Sequence, residues 1–266
     1  MLAAAAIAGC SLFPASNPWN QRVDDRPVHP RSDAIVRSIG LDRPLHPDFG
    51  TRYGIPFNVV ARGTPRVRLF FEYPSESDRG PYPIPAKPRI ERGSDRHLLI
   101  VQRGTCRLFE LFAFDGRRAG SGAIWSLSSN RLRPKGWTSG DAAGLPILPG
   151  LARYDEVARG EIRHALRFTV SRTRRAFVFP ARHYASSLTD PDLPAMGQRL
   201  RLKASVNVAK LPRQARVIAR ALQRYGMLVA DNGSDWFVTG APDRRWDDED
   251  LNALKRLRGS DFEVVQ

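Results

Sequence analysis

Short runs rich in β-branched and aromatic residues recur along most of the chain, and the segments between them contain glycine, proline or aspartate. Such runs pack well in half-buried sheets and such separators form turns, so the pattern predicts a mainly β protein. Asn232-Gly233 follows one of these runs and is typical of a tight hairpin, and a place beside this hairpin explains Asp231 better than a catalytic role. The predicted strands are residues 55–60, 67–73, 97–102, 106–114, 123–127, 165–170, 176–179, 200–206, 227–230, 236–239 and 262–265.

Three segments instead have the apolar spacing and the terminal residues of helices: Ser32–Ile39, 212–225 and 247–257. Few helices beside many strands favour a β-sandwich or barrel-like core with peripheral helices. No linker or internal repeat interrupts the pattern, so we expect a single β-rich domain over residues 21–266.

The N-terminus predicts export. Residues 1–9 read MLAAAAIAG, which is too short to span a membrane and lacks a positive start, but fits a truncated signal peptide. The segment Ile7-Ala8-Gly9-Cys10 resembles the lipobox of bacterial lipoproteins. We therefore expect lipidation of Cys10, a lipid-attached tether over residues 10–20, and a membrane-anchored lipoprotein that touches the membrane only through this lipid. A buried N-terminal segment and a Cys10–Cys106 disulfide are the alternatives.

The chain is strongly basic, with 42 Lys and Arg residues against 27 Asp and Glu residues and a formal charge of +15. This excess favours an anionic polymer as partner, above all a polysaccharide of the cell envelope; a solvated basic surface is the alternative. The basic residues are scattered and no nucleic-acid-binding signature is present, which argues against nucleic acid. No phosphate-binding loop, dinucleotide fingerprint or metal-ligand motif is found, so we expect no cofactor and no metal.

Two carboxylates are candidates for catalysis. Glu110 lies in a run that is apolar on both strand faces, and burial there would raise its pKa and suit a general acid; an ion pair with an arginine is the alternative. Asp141 lies in a Gly- and Pro-rich stretch, residues 130–156, and is a candidate base or nucleophile; capping of a short helical turn is its alternative. Trp137 and Trp125 are the expected sugar-stacking surfaces.

A polysaccharide lyase is the second choice, because it needs a base and a cation facing a uronate carboxylate. His183 is the candidate catalytic base, and neighbouring Arg182 and Tyr184 are candidate substrate-binding residues. His97 begins a predicted strand and is a further substrate-binding candidate. A hydrogen-bonded structural role is the alternative for each histidine.

The segments GWTSGDAAGLPILPGLARYDEVARGEIRHALRFTV, PARHYAS and YGMLVADNGSDW are similar to those of a group of secreted bacterial proteins with no assigned activity. The resemblance extends from about Asn17 to the C-terminus. It implies export and a shared fold, and it assigns no catalytic residue.

Together these features predict an exported lipoprotein that acts on polysaccharide, as a glycoside hydrolase with a carboxylate pair. A non-catalytic glycan-binding or envelope-structural lipoprotein is the alternative. A cleft holding two carboxylates would favour the enzyme, whereas aromatic rings on a flat face would favour the binding protein.

Overall fold

Two mixed β-sheets form the centre of the computed structural model, which describes residues 6–266. Strands account for 25% of the residues and helices for 19%, so the predicted mainly β class is confirmed. The strands are β1 Ala6–Ile7, β2 Cys10–Ser11, β3 His46–Asp48, β4 Phe57–Val60, β5 Phe70–Phe71, β6 Leu98–Gln102, β7 Arg107–Phe112, β8 Arg118–Ala119, β9 Ser121–Ser126, β10 Leu166–Val170, β11 Arg199–Leu202, β12 Met227–Asn232, β13 Phe237–Thr239 and β14 Phe262–Val264. The α-helices are α1 Ser32–Ile39, α2 Tyr154–Ala158, α3 Arg213–Arg224 and α4 Asp248–Asn252.

The larger sheet has six strands in the order β14-β11-β12-β10-β13-β3. Strand β10 runs parallel to β12 and antiparallel to β13, so it lies between them. The hairpin predicted at Asn232-Gly233 is therefore wrong. The Gly233 N–H donates to the Val170 carbonyl at 2.9 Å, which carries the chain across the end of β10 before β13 returns on its far side. Strand β10 is almost wholly buried, and it lies between β12 and β13, which a hairpin would have paired with each other.

The smaller sheet has four strands in the order β4-β6-β7-β9, with β4 parallel to β6 and the other pairs antiparallel. Strand β6 is buried along its whole length, and Glu110 lies in the middle of β7 opposite Leu99 and Ala123. Two further sheets, β1-β2 and β5-β8, have two strands each. The described sheets do not close into a barrel, and a single sandwich is not confirmed.

Helix α1 has the predicted bounds, and α3 begins and ends within one residue of its prediction. The predicted third helix is shorter: α4 ends at Asn252 and a 3₁₀ turn, Ala253–Arg256, continues it. The side chain of Asp247 accepts the N–H groups of Glu249 and Asp250, which fixes the start of α4 as an N-cap. No helix of residues 6–266 has the length and apolar content to cross a bilayer.

Residues 138–152, here called the central loop, lie between the two sheets and are largely buried. A 3₁₀ turn at Leu148–Gly150 is their one regular element. The loop supplies side chains to two hydrophobic cores: Ala143, Leu145 and Ala152 to the core of the six-stranded sheet, and Ile147, Leu148 and Leu151 to that of the four-stranded sheet. Most of the predicted irregular stretch, residues 130–156, is thus an interior segment that packs against both sheets. Its buried backbone polar groups need hydrogen-bond partners.

The N-terminal segment packs against the body of the protein. Cys10 is 1% exposed and is joined to Cys106 by a disulfide. One sulfur atom cannot carry both this bond and a lipid thioether, so the lipidated Cys10 is replaced by the disulfide alternative. Leu12 and Phe13 are buried in the core of the four-stranded sheet, so residues 10–20 are not a free tether. Residues 1–5 of the predicted signal peptide lie outside the described residues, and the single domain over residues 21–266 stays a prediction.

Candidate functional site

The Glu110 side chain is an anchor for the central loop. It is 0% exposed and accepts the backbone N–H groups of Ile147 and Leu148 at 2.9 Å and the indole N–H of Trp125 at 3.1 Å. Burial raises the pKa of Glu110 to about 7, although the three hydrogen-bond donors act to lower it. Because Glu110 is fully enclosed and lines neither of the cavities beside the central loop, its prediction as a catalytic proton donor is wrong for lack of access. Among residues 6–266, no arginine forms an ion pair with it.

Asp141 is the second anchor. Its carboxylate accepts two bonds from the Arg167 guanidinium of β10, one of them at 2.9 Å, and both side chains are buried. Arg167 also donates to the Thr239 hydroxyl at 2.6 Å. A carboxylate held by both arms of a buried guanidinium is not free to act as nucleophile or base. The prediction of Asp141 as a catalytic base or nucleophile is therefore wrong, because its carboxylate forms a buried ion pair. The predicted catalytic pair of Glu110 and Asp141 is wrong as well.

His97 is the third anchor rather than a substrate-binding group. Its Nδ1 lies 2.5 Å from Glu91 Oε2 and its Nε2 lies 2.9 Å from the Gly140 carbonyl. Both partners are acceptors, so the ring must carry two N–H groups, as an imidazolium. Burial disfavours this charge, but the bond to Glu91 outweighs it and raises the pKa of His97. The same pairing lowers the pKa of Glu91 despite its burial.

The two tryptophans do not form an open sugar-stacking surface. Trp125 is 5% exposed, with its indole N–H used by Glu110. Arg133 lies 5.6 Å from the Trp125 ring centroid and 5.4 Å from that of Trp137, so it occupies a position between them. Half-buried Trp137 lines a separate cavity of about 450 Å³ with Trp125 and Arg133. The predicted pairing of Trp137 with Asp141 in one cavity is therefore wrong.

A different cavity, here called the acidic cleft, opens above the anchored loop. Its volume is about 450 Å³. Its floor is formed by Ser121 and residues 138–142, with Ser121 Oγ donating to the Ser139 carbonyl. The functional groups around it are Tyr73, Glu76, Asp95, Phe112, His183 and Asp231. It is a concave site with aromatic rings and several carboxylates, which is the arrangement that sugar chemistry uses.

Two predicted catalytic residues, Asp141 and His183, line this cleft, and Asp141 is held there by Arg167. His183 Nδ1 donates to the Ala142 carbonyl at 2.7 Å, because a carbonyl can only accept. Its Nε2 lies 3.8 Å from Glu76 Oε2, and the same Glu76 oxygen accepts the Thr138 N–H at 3.1 Å. Glu76 is thus oriented by the central loop and faced by a histidine.

Asp231 is the carboxylate with the most perturbed acidity in the cleft. It lies at the carboxyl end of β12, is half-buried, and accepts the Asn232 N–H at 2.7 Å. Burial and the negative charge of Asp141 raise its pKa to about 7, against the attraction of Arg167. At neutral pH this side chain is therefore poised both to hold and to release a proton.

Arg182 and Tyr184 do not line the acidic cleft. Arg182 Nε donates to the Arg133 carbonyl at 3.0 Å, so its guanidinium group binds a loop rather than facing the cleft. The Tyr184 ring lies parallel to that of His183 at 5.8 Å, and its hydroxyl accepts from Arg175 at 3.3 Å. The three residues predicted for a lyase are thus neighbours in space, but only His183 reaches the cleft.

Sequence reasoning missed Glu76 and Asp95 and set Asp231 aside as a hairpin residue. One available signal was the position of Asp231 directly after the buried strand segment Met227–Ala230, where side chains emerge at the carboxyl end of a strand. Glu76 follows two residues after Pro74 in a proline-rich loop, and no local pattern marks it.

Comparison of the chain with protein-family models, curated proteins and solved structures gives no match. Among residues 6–266, no group of three or more His, Cys, Asp or Glu side chains is arranged to hold a metal ion. The similarity to secreted bacterial proteins therefore stays a prediction.

Proposed function

We propose that the protein is an exported glycoside hydrolase whose reaction takes place in the acidic cleft. The observation that carries the proposal is Asp231, a half-buried carboxyl with a pKa raised to about 7 that shares a solvent-reached cavity with Glu76 and His183. A general acid works best when its pKa lies near the working pH. Glycoside hydrolysis requires one protonated and one ionised carboxyl group flanking the bond that breaks.

In this proposal Asp231 donates its proton to the glycosidic oxygen as the bond from that oxygen to the anomeric carbon breaks. Glu76 is the second carboxylate. We choose it over Asp95 because the Thr138 N–H of the central loop orients the Glu76 carboxylate, whereas the Asp95 carboxylate accepts only from its neighbour Ser94 among the described residues. The distance between the two carboxyl groups decides whether water attacks directly or after a covalent intermediate.

The surroundings of the cleft support a sugar as the substrate. Tyr73 is 46% exposed at the cleft and Phe112 adds a second ring, so apolar sugar faces have aromatic partners. The three anchors Glu110, Asp141 and His97 fix the central loop that forms the floor. A rigid floor supports catalysis because it holds reacting groups at constant distances.

Export is supported by the Cys10–Cys106 disulfide, because such bonds persist in oxidising compartments and are rare in the cytosol. Export in this form requires no lipid on Cys10.

The direct experiment is a screen of the purified protein on neutral and acidic polysaccharides, with release of reducing ends as the readout. We expect at least one substrate to be cleaved, and Asp231→Asn to lower the rate by about 100-fold or more. Asp25→Asn is the matched control, because Asp25 is exposed and makes no side-chain hydrogen bond in the described structure. Binding without cleavage by the unaltered protein would leave the non-catalytic alternative as the better account.

A further inference from the structure

A second, larger concavity carries a strong positive charge. This groove, here called the arginine groove, has a volume of about 1340 Å³. It is lined by five arginines and a single acidic residue, Asp243, and all five arginines are exposed. The arginines are Arg52, Arg89, Arg92, Arg244 and Arg245.

Only one of the five is neutralised by the protein. Arg245 donates to Asp243 at 2.6 Å and to Asp155 at 2.8 Å, and it lies 4.4 Å from the ring centroid of Tyr154. The side chains of the other four form no ion pair and no hydrogen bond among residues 6–266. Four unpaired guanidinium groups in a concave surface concentrate a positive field and attract an anionic ligand.

The arginine groove lies beside the acidic cleft. Arg92 lines the groove and Asp95 lines the cleft, and three residues of chain span at most about 11 Å. Glu91, next to Arg92, turns inward to His97 and so fixes this segment against the body. A further cavity of about 390 Å³ shares Arg89, Pro242 and Asp243 with the groove and extends the concave surface. The whole surface therefore suits an extended polymer better than a single small ligand.

We propose that the arginine groove binds the flanking sugars of a carboxylate-bearing polysaccharide, a polyuronate, whose glycosidic bond reaches the acidic cleft. This assignment of substrate class rests on the proposed hydrolase function. The planar guanidinium group of arginine binds a carboxylate through two parallel hydrogen bonds. A polyuronate carries one carboxylate per sugar, so successive sugars can each pair with a different one of the four unpaired arginines.

Two observations favour a polyuronate over a nucleic acid. The groove's own described lining contains no aromatic side chain, whereas proteins that bind single strands normally stack bases on such rings; of the two rings in the adjoining cavity, Phe57 and Tyr154, the latter is already covered by Arg245. The disulfide also points to an oxidising compartment, where exported acidic polysaccharides are found rather than nucleic acids as regular partners.

The test measures binding of the full-length protein to sodium polygalacturonate and to alginate by calorimetry, with dextran as neutral polymer and poly(dT) as nucleic acid. We expect Arg92→Gln/Arg244→Gln to weaken binding of at least one polyuronate by about tenfold or more. The control Arg37→Gln/Arg220→Gln removes the same charge from exposed arginines outside the groove and is expected to bind within about twofold of the unaltered protein.

The proposal is overturned if neither polyuronate binds, if both double variants weaken binding equally, or if dextran binds as tightly. Groove-dependent binding of poly(dT) that is tighter than that of both polyuronates also overturns it, in favour of a nucleic-acid site. Asp231→Asn separates the two proposals, because it should keep polyuronate affinity while losing cleavage. Groove-dependent binding without cleavage by the unaltered protein refutes the hydrolase alone, and cleavage of only neutral glucans refutes the groove assignment alone.

Discussion

Replacing Glu110 by glutamine should change how the stability of the protein depends on pH. Glu110 has a pKa raised from 4.5 to about 7 by burial, so its ionised form is disfavoured in the folded state. A carboxyl with a raised pKa contributes stability that is fully present below its unfolded pKa and is lost as pH rises through the folded pKa. Over this shift the loss amounts to about 3 kcal/mol. Glutamine has the shape of the neutral acid and does not titrate.

The assay is urea denaturation of the unaltered protein and Glu110→Gln at several pH values from 4.5 to 8. The free energy of unfolding of the unaltered protein, minus that of the variant, should fall by about 3 kcal/mol across this range. At every pH the variant should also lose about 1–3 kcal/mol of its free energy of unfolding, because the glutamine N–H group would face one of the three N–H donors that Glu110 accepts. The exposed Glu72→Gln serves as control and should follow the unaltered protein. Parallel curves for Glu110→Gln would refute the raised pKa, and a difference that grows with pH would show that the hydrogen bonds outweigh burial.

Three further outcomes follow from the anchors and the disulfide. Asp141→Asn should lower the free energy of unfolding by about 3–5 kcal/mol by leaving Arg167 charged and unpaired, and adding Arg167→Met should restore part of it; a loss below about 1 kcal/mol in denaturation would contradict the buried pair. Cys10→Ser/Cys106→Ser should cost about 2–5 kcal/mol in the same assay, and alkylation of the denatured unaltered protein should find no free thiol; two reactive thiols would contradict the disulfide. The His97 ring should carry both protons at pH 7 in nitrogen NMR, because both of its ring nitrogens face acceptors and the bond to Glu91 raises its pKa; a neutral ring at that pH would contradict its two acceptors.

Local sequence signals were enough to locate three of the four α-helices and most of the longer strands. The apolar spacing of α1 and α3 and the capping residue Asp247 act within a turn or two of the chain, so they can be read directly. Strand pairing is not local. The Asn-Gly turn after β12 was interpreted as a hairpin, but β10, sixty residues earlier, pairs with both β12 and β13. Strand β3 carries no β pattern in its residues His46–Asp48, and it exists because the edge of β13 offers backbone partners.

The same limit applies to the site. The sequence correctly indicated that Glu110 is desolvated, but burial on both strand faces also removed it from any substrate. Whether a buried carboxylate meets a cavity, a guanidinium or orphan N–H groups depends on segments far away, here the central loop for Glu110 and β10 for Asp141. Glu76 and Asp231 line the same cleft from distant parts of the chain, so only the tertiary structure places both in one cavity.

The central claim is that Asp231 is the proton donor of a hydrolytic cleft, and the pH dependence of kcat/KM on a cleaved polysaccharide tests it most directly. With the pKa of Asp231 near 7, the kcat/KM of the unaltered protein should fall as the pH rises above about 7. Asp231→Asn should reduce kcat/KM by about 100-fold or more at neutral pH and abolish this alkaline fall. A variant that cleaves at the unaltered rate with the same alkaline fall would contradict the account.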